Sequence, residues 1–524
     1  LLCLALFLPG LSGLPPTDRD ESRYAQATRQ MLESGDYIRI QFQGESRAKK
    51  PAGIYWLQAI SVGLTGARDQ IWAYRLPSVA GAMIAVLLTF ALGQTLVGRP
   101  AALLAAALLA VSVLLVSEAH QAKTDAAQLA CVVAAQGLLS RFYLSRPEQR
   151  PGWATAMAFW LAQGCGILIK GPIVPMISLA TVLALIIADR RAAWLRGLRI
   201  LPGLLLVGLM VGPWAWAISQ ATKGQFIGQA VKTDLLPKLL GAQESHGAAA
   251  GTYLLLLCAT MWPASLFVIP AVAQAFARRT ETATRFLLAW ILPNWLIFEA
   301  IPTKLPNYIL PIYPALALLA GGWLLRGERP RLAAWQKIFT LLWGLIGSAL
   351  AFAFIAAPLA LKMPPWWSLA PVTAMVLLLN WLPVLALWRG RPQVSAGLAV
   401  VAAIISFAAL FLLMPPRLTP LWLSSQIADL VPRDAPLATA GYHEPSLVFL
   451  HGTATLLTDG GGAAEFLLRG ADHWAAVESS DQAAFDAKLN ETGHHGEVMG
   501  HVDGFNSVRG KPAHIILWRV PPQG

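Results

Sequence analysis

Hydrophobic stretches of about 20 residues recur from the start of the chain to about residue 414, and this repetition limits the fold more than any motif does. Repeated runs of that length mark a helical protein that crosses a membrane many times, because each crossing must satisfy its backbone polar groups internally. Candidate spans read as about 1–14, 71–97, 101–117, 124–141, 151–169, 172–188, 200–218, 251–276, 286–301, 306–325, 335–358, 367–388 and 394–414, or about thirteen in all. Only 13% of the 524 residues are charged, against about 25% in a soluble protein. The opening run LLCLALFL, without a Met, reads as a truncated first span rather than a cleaved signal peptide, since no small-residue cleavage site comes after it.

The net charge of +12 reports orientation. With the N-terminus inside, Arg99, Arg141, Arg146, Arg150, Arg190, Arg191, Arg196, Arg199, Arg278, Arg279, Arg285, Arg326, Arg329, Arg331, Arg389 and Arg391 all fall on cytoplasmic turns. That is the positive-inside pattern, and it argues against nucleic acid as a partner. The polar segments 18–56 and 219–250 and the tail beyond 416 then face outward. Cys3, Cys131, Cys165 and Cys258 lie within spans and have neither a metal-type spacing nor an evident disulfide partner.

A chain this apolar has little polar material to spare, so its outward loops are where chemistry is sought. The first, 15–70, opens with Pro15-Pro16, which break the first span, and Thr17, Asp18 or Asp20 can cap the next helix. From Glu21 to Ser34, Tyr24, Ala27, Thr28, Met31 and Leu32 recur at helical spacing, with Arg23, Gln26, Arg29, Gln30 and Glu33 on the other side. This is a juxtamembrane amphipathic helix, either a simple interfacial brace or the support for the Asp20-Glu21 pair at its start. Residues 36–43 alternate as a short extended piece. Arg47, Lys49 and Lys50 precede Pro51 and the pair Tyr55-Trp56, and they either anchor the chain at the headgroups or bind a phosphate.

Asp125 begins an apolar span, where a carboxylate either caps the helix or points into the bundle. Lys170, in the turn Ile169-Lys170-Gly171-Pro172, either snorkels or meets an anion. The 219–250 loop, with His246, reads as a solvated loop or as a cover over a site. In 302–311, Lys304 and Tyr308 are spaced to share a helical face, while the prolines make an irregular backbone of the kind tolerated where it lines a cavity. Past 416 the composition shifts. Strands are expected over 437–441, 474–477, 497–502 and 514–520 and helices over 463–469 and 481–489, which make a small α/β domain. Its His494, His495 and His501 lack a metal-site spacing.

Four motifs in order carry a resemblance: Asp20-Glu21-Ser22-Arg23-Tyr24-Ala25; Lys50-Pro51 ahead of Tyr55-Trp56; Lys170-Gly171-Pro172; and Lys304-Leu305-Pro306-Asn307-Tyr308-Ile309-Leu310-Pro311. Together they resemble the aminoarabinose (4-amino-4-deoxy-L-arabinose) lipid A transferases, within the wider protein-mannosyltransferase-like GT-C glycosyltransferases. The resemblance implies an α-helical polytopic membrane protein with a GT-C-like catalytic domain over 1–416 and a periplasmic α/β domain over 417–524. It implies an enzyme of the bacterial inner membrane that moves a sugar from a polyprenyl-phosphate donor to lipid A or another lipid or glycan acceptor. By the same resemblance Asp20, Glu21 and Asp125 are the functional carboxylates. Lys50, Lys49, Arg47, Arg23, Tyr24, Tyr55, Lys170, Lys304, Tyr308 and His246 surround the donor. Where family members often carry an acid before Lys-Pro this chain has Lys49, so neither metal nor cofactor is expected. Arg47 replaces an aromatic, which suits a more acidic donor or acceptor. The alternatives are a polyprenyl-phosphate-mannose protein O-mannosyltransferase, disfavoured by Lys50 where His is usual, and a transporter or lipid flippase, disfavoured by the absence of paired halves.

Overall fold

The protein is described by a computed structural model at residues 1–47, 49–229, 248–326, 332–470 and 472–520. Every apolar stretch named above carries helix, and the span expected over 71–97 is the helix Ile71–Val97. Seven helices among the described residues are long and apolar enough to cross a membrane. They become eight if Arg99–Ala110 and Val113–Ala119, bent by 63°, form one crossing. The bend is tertiary in origin. The Val113 amide donates to the Trp262 carbonyl at 3.0 Å rather than continuing the first helix. The 251–276 stretch divides into Thr252–Thr260 and Ser265–Ala277, with Pro263, which lacks an amide hydrogen, in the break.

Small residues set two crossings that matter for the site. A Cβ on Gly81 would lie 2.5 Å from the Ala127 Cα, so Ile71–Val97 and Asp125–Leu144 meet backbone to backbone. A Cβ on Gly53 would lie 2.7 Å from the Leu168 carbonyl oxygen, which holds the start of Gly53–Thr65 against the end of Trp153–Lys170. Residues 49–50 and Lys170 therefore share one corner of the bundle.

The expected juxtamembrane helix is present as Asp20–Ser34, stopped by Gly35 at φ 71, whose amide returns to the Met31 carbonyl. Its cap differs from expectation. Arg19 occupies the cap position at φ 65 and no side chain caps it. The extended piece is a two-residue hairpin, β1 (Gln41–Phe42) against β2 (Glu45–Ser46).

Beyond the membrane part, β3 (Leu437–Ala440), β4 (Leu456–Thr458), β5 (Trp474–Glu478), β6 (Glu497–Asn506) and β7 (Lys511–Arg519) form one sheet in the order β4-β3-β5-β7-β6. β3 is parallel to β4 and β5, and β7 is antiparallel to β5 and β6. Alternate residues serve the two faces: Leu437, Trp474 and Ala476 on one, Ala438, Ala475 and Val477 on the other. The sheet unit rests on the juxtamembrane helix and the hairpin that follows it. Arg29 Nη1 donates to the Phe449 carbonyl at 2.8 Å, Gln26 Nε2 to Thr453 Oγ1 at 2.7 Å, and Gln43 Nε2 to the Thr455 carbonyl at 2.6 Å.

Candidate active site

Four stretches far apart in sequence converge on one cavity of about 400 Å³. The first loop supplies Arg19, Asp20, Arg23, Tyr24, Arg47, Lys49 and Lys50. The 117–125 turn and the Lys170 corner form a second wall, and Thr303 and Leu305 to Tyr308 form a third.

Asp20 is the first residue of its helix, the end at which the helix dipole favours an anion. Its side chain is 60% exposed, and Oδ1 lies 3.9 Å from Arg47 Nη2. Arg47 is fixed from behind: Nε donates to the Tyr55 hydroxyl at 3.3 Å, and the guanidinium stands 4.8 Å from the centre of the Tyr24 ring. Across the cavity Asp125 is buried, and its Oδ1 accepts from Lys170 Nζ at 2.5 Å and from Asn307 Nδ2 at 2.7 Å. Lys170 also lies 5.7 Å from the Tyr308 ring centre. Beside them Lys123 Nζ donates to Glu118 Oε1 at 3.2 Å. Burial alone would lower the Lys123 pKa, but Glu118, with Asp125 behind it, holds the ammonium above its ordinary value.

Asp20, Arg23, Tyr24, Arg47, Lys49, Lys50, Asp125, Lys170 and Tyr308 are thus brought together as the sequence suggested. Three expected residues stand elsewhere. Glu21 faces away into a closed knot, with Oε1 and Oε2 2.8 and 3.0 Å from Arg75 Nε and Nη2. It also accepts from the amides of Thr17 and Ala122, each at 2.9 Å. Burial would raise its pKa, yet the Arg75 guanidinium carries it below the ordinary value. Tyr55 is buried behind Arg47 and accepts the hydrogen bond that fixes it. Lys304 turns back to donate to the carbonyls of Glu299 and Ile301 at 2.6 and 2.8 Å, so it satisfies the end of Thr282–Ala300 rather than a ligand. His246 lies outside the described residues.

Glu118, Lys123, Asn307 and Arg19 also line the cavity, and no motif singles them out as site residues. Glu118, Lys123 and Asp125 carry a signal in their alternating charge within one short turn, whereas Asn307 sits in a motif marked by its neighbours. Among the described residues no group of three His, Cys, Asp or Glu side chains comes together to hold a metal ion. Seven cations and three carboxylates line the cavity among those residues, so it attracts anions.

Comparison with known proteins fits this arrangement. Residues 16–224 match the family profile described as dolichyl-phosphate-mannose-protein mannosyltransferase. An undecaprenyl phosphate-alpha-4-amino-4-deoxy-L-arabinose arabinosyl transferase of Pseudomonas fluorescens is 30% identical over 71% of this chain and 67% of its own length. The chain belongs to the aminoarabinose arabinosyl transferase family. A further member, from Pectobacterium carotovorum, is 28% identical over 73% of this chain and 69% of its own length. The crystal structure of ArnT from Cupriavidus metallidurans bound to undecaprenyl phosphate superposes with a TM-score of 0.78 at 18% identity, covering 98% of this chain and 96% of that one. The same protein in its apo state gives 0.76 at 19% identity. This arabinosyl transferase relative therefore shares the helical fold of ArnT, terminal sheet included. The chain is a membrane glycosyltransferase, and membership of this family sets the transporter reading aside.

Proposed function

We propose that the chain transfers a sugar from a polyprenyl-phosphate carrier to lipid A or another envelope acceptor, at the outer face of the bacterial inner membrane. On this reading residues 1–416 are the catalytic membrane domain, with about thirteen crossings at about 20 residues each, and 417–524 form a periplasmic α/β domain. The observation that carries the proposal is the facing of Asp20 and Asp125 across one cavity whose walls are otherwise rich in Lys and Arg.

In the transfer, the acceptor oxygen attacks the anomeric carbon while the bond from that carbon to the carrier phosphate breaks. The electron pair leaves with the phosphate. Lys49, Lys50 and Arg23 receive that growing negative charge in a partly enclosed site, where fixed charges act more strongly than in water. Asp20 and Asp125 stabilise the positive character that develops on the sugar ring. For a hydroxyl acceptor Asp20 takes the proton; for an acceptor phosphate that is already ionised it orients and balances charge instead. Attack opposite the leaving phosphate inverts the anomeric centre.

The test uses purified full-length protein in lipid nanodiscs with a radiolabelled polyprenyl-phosphate sugar and, in separate arms, lipid A and a hydroxyl-bearing peptide. Wild type is expected to label lipid A, and Asp20→Asn to lose that labelling while keeping its thermal midpoint. Labelling of the peptide alone would move the chain to the protein-mannosyltransferase reading, which the match over 16–224 favours. Near-normal turnover by Asp20→Asn would remove Asp20 from the reaction.

A further inference from the structure

The terminal sheet grips the residues on the N-terminal side of Asp20. Arg19 holds φ 65 and ψ −110, a conformation few L side chains adopt. Strained backbone of this kind persists where neighbouring contacts over-determine it. Here Arg19 Nη2 donates to the Val508 carbonyl at 3.0 Å, in the turn that joins β6 to β7. One residue earlier, Asp18 Oδ1 accepts from the Ser446 amide at 3.2 Å, at the start of the helix Pro445–His451. The turn is itself fixed. Asn506 Oδ1 accepts from the amides of Val508 and Arg509 at 2.9 and 3.0 Å, while its Nδ2 donates to Glu444 Oε1 at 3.0 Å. On the far side of Asp20, Glu21 is locked to Arg75 and Ala122. Asp20 is thus an exposed carboxylate on a backbone clamped from both directions, one clamp in the membrane part and the other in the sheet.

We propose that Arg19 is a positioning residue through which the terminal sheet aims the Asp20 carboxylate into the cavity. The sheet then has a role in the transfer step although it supplies no reacting group. Its β6–β7 turn sets the backbone of the residue before Asp20, and release of that turn lets the first helical turn relax to an ordinary conformation with the carboxylate displaced. This inference rests on Asp20 being the reactive carboxylate.

The test is steady-state kinetics on the full-length protein with the polyprenyl-phosphate sugar. Arg19→Ala is expected to lower kcat about tenfold, with a much smaller rise in donor KM from the loss of one of the seven cavity cations. Arg19→Lys, long enough to reach the same carbonyl, should restore most of it. Asn506→Ala, which frees the turn, should reproduce the loss, and the double variant should be no worse than either single, since both act through one contact. A raised KM at unchanged kcat in Arg19→Ala would make Arg19 a substrate contact and overturn the proposal, as would losses that add in the double variant. Asn506 is buried, so its thermal midpoint is measured in parallel; if that variant is unstable, the exposed Arg19 substitutions decide alone. Failure here is separable from failure of the function: Asp20→Asn inactive with Arg19→Ala fully active sinks only the positioning role.

Discussion

Lys170 and Asn307 converge on the same oxygen of Asp125, at 2.5 and 2.7 Å, from two helix ends that are far apart in sequence. The shared Oδ1 joins the Lys170 corner to the 302–308 wall, and the other oxygen has the Thr124 hydroxyl at 3.4 Å. Asp125 therefore works as a charged junction between two walls of the cavity.

Replacing that charge should be costly. In Asp125→Asn the Lys170 ammonium keeps a neutral neighbour but loses its counter-charge, in a pair whose side chains are 12% and 6% exposed. Breaking a buried ion pair on one side costs about 3–5 kcal/mol. The expected outcome is a lower thermal midpoint together with a fall in transfer of about a hundredfold or more. Lys170→Met should behave alike, and a full-activity, full-stability Asp125→Asn would show that the junction is dispensable.

Glu21 is expected to separate stability from chemistry. Its carboxylate and Arg75 have no side-chain exposure, and Arg75 also donates to the carbonyls of Leu11, Leu14 and Pro15. Glu21→Gln should destabilise by about 3–5 kcal/mol, read as a loss of thermal midpoint and of yield. Glu21→Asp, too short to span both Arg75 and Ala122, should lose part of the same stability. If Glu21→Gln kept its midpoint and lost only turnover, Glu21 would belong to the reaction after all.

Lys50 lines the cavity beside Lys49 at the corner shared with Lys170. Lys50→Ala should raise the donor KM about tenfold, as expected for removal of one charge-assisted contact, with less effect on an acceptor's KM. Titration of donor at fixed acceptor measures this, and an unchanged donor KM would remove Lys50 from the phosphate site.

The burial of Asp18 predicts a pH dependence. Burial, with Glu444 nearby adding to it against the opposing hydrogen bond from Ser446, pushes the Asp18 carboxyl up to about 6. An unfolded Asp titrates near about 3.9. A raised carboxyl binds its proton more tightly in the folded state, so its contribution is fully present below about pH 4 and is lost as pH rises through about 6. Asp18→Asn should therefore flatten the part of the midpoint-against-pH curve between about pH 4 and 6. A wild-type and variant pair with parallel curves there would refute the assignment.

Much of this architecture was legible because lipid imposes a simple rule: long apolar runs must be helical, so Ile71–Val97 could be read to the residue. The break after Ala110 was not legible, since the sequence there stays apolar and the cause is the distant Trp262 carbonyl. The cavity was legible where motif residues point inward, as Asp20, Lys50, Asp125 and Tyr308 do. Glu21 and Lys304 sit in the same motifs yet do not line the cavity, because a motif gives identity without direction. The hint that Glu21 is structural lay 54 residues away: an Arg75 inside an apolar helix requires a buried acceptor. In the sheet, β4 and the helix Pro445–His451 are too short to show a period in the sequence.

The contact between Gly53 and the Leu168 carbonyl packs the stretch bearing Lys49 and Lys50 directly against the stretch bearing Lys170. A lone methyl at Gly53 would act as a wedge, prising apart the two stretches that carry these cavity cations while leaving every charge intact. The spacing between these cavity cations is thus set by a residue that has no side chain at all.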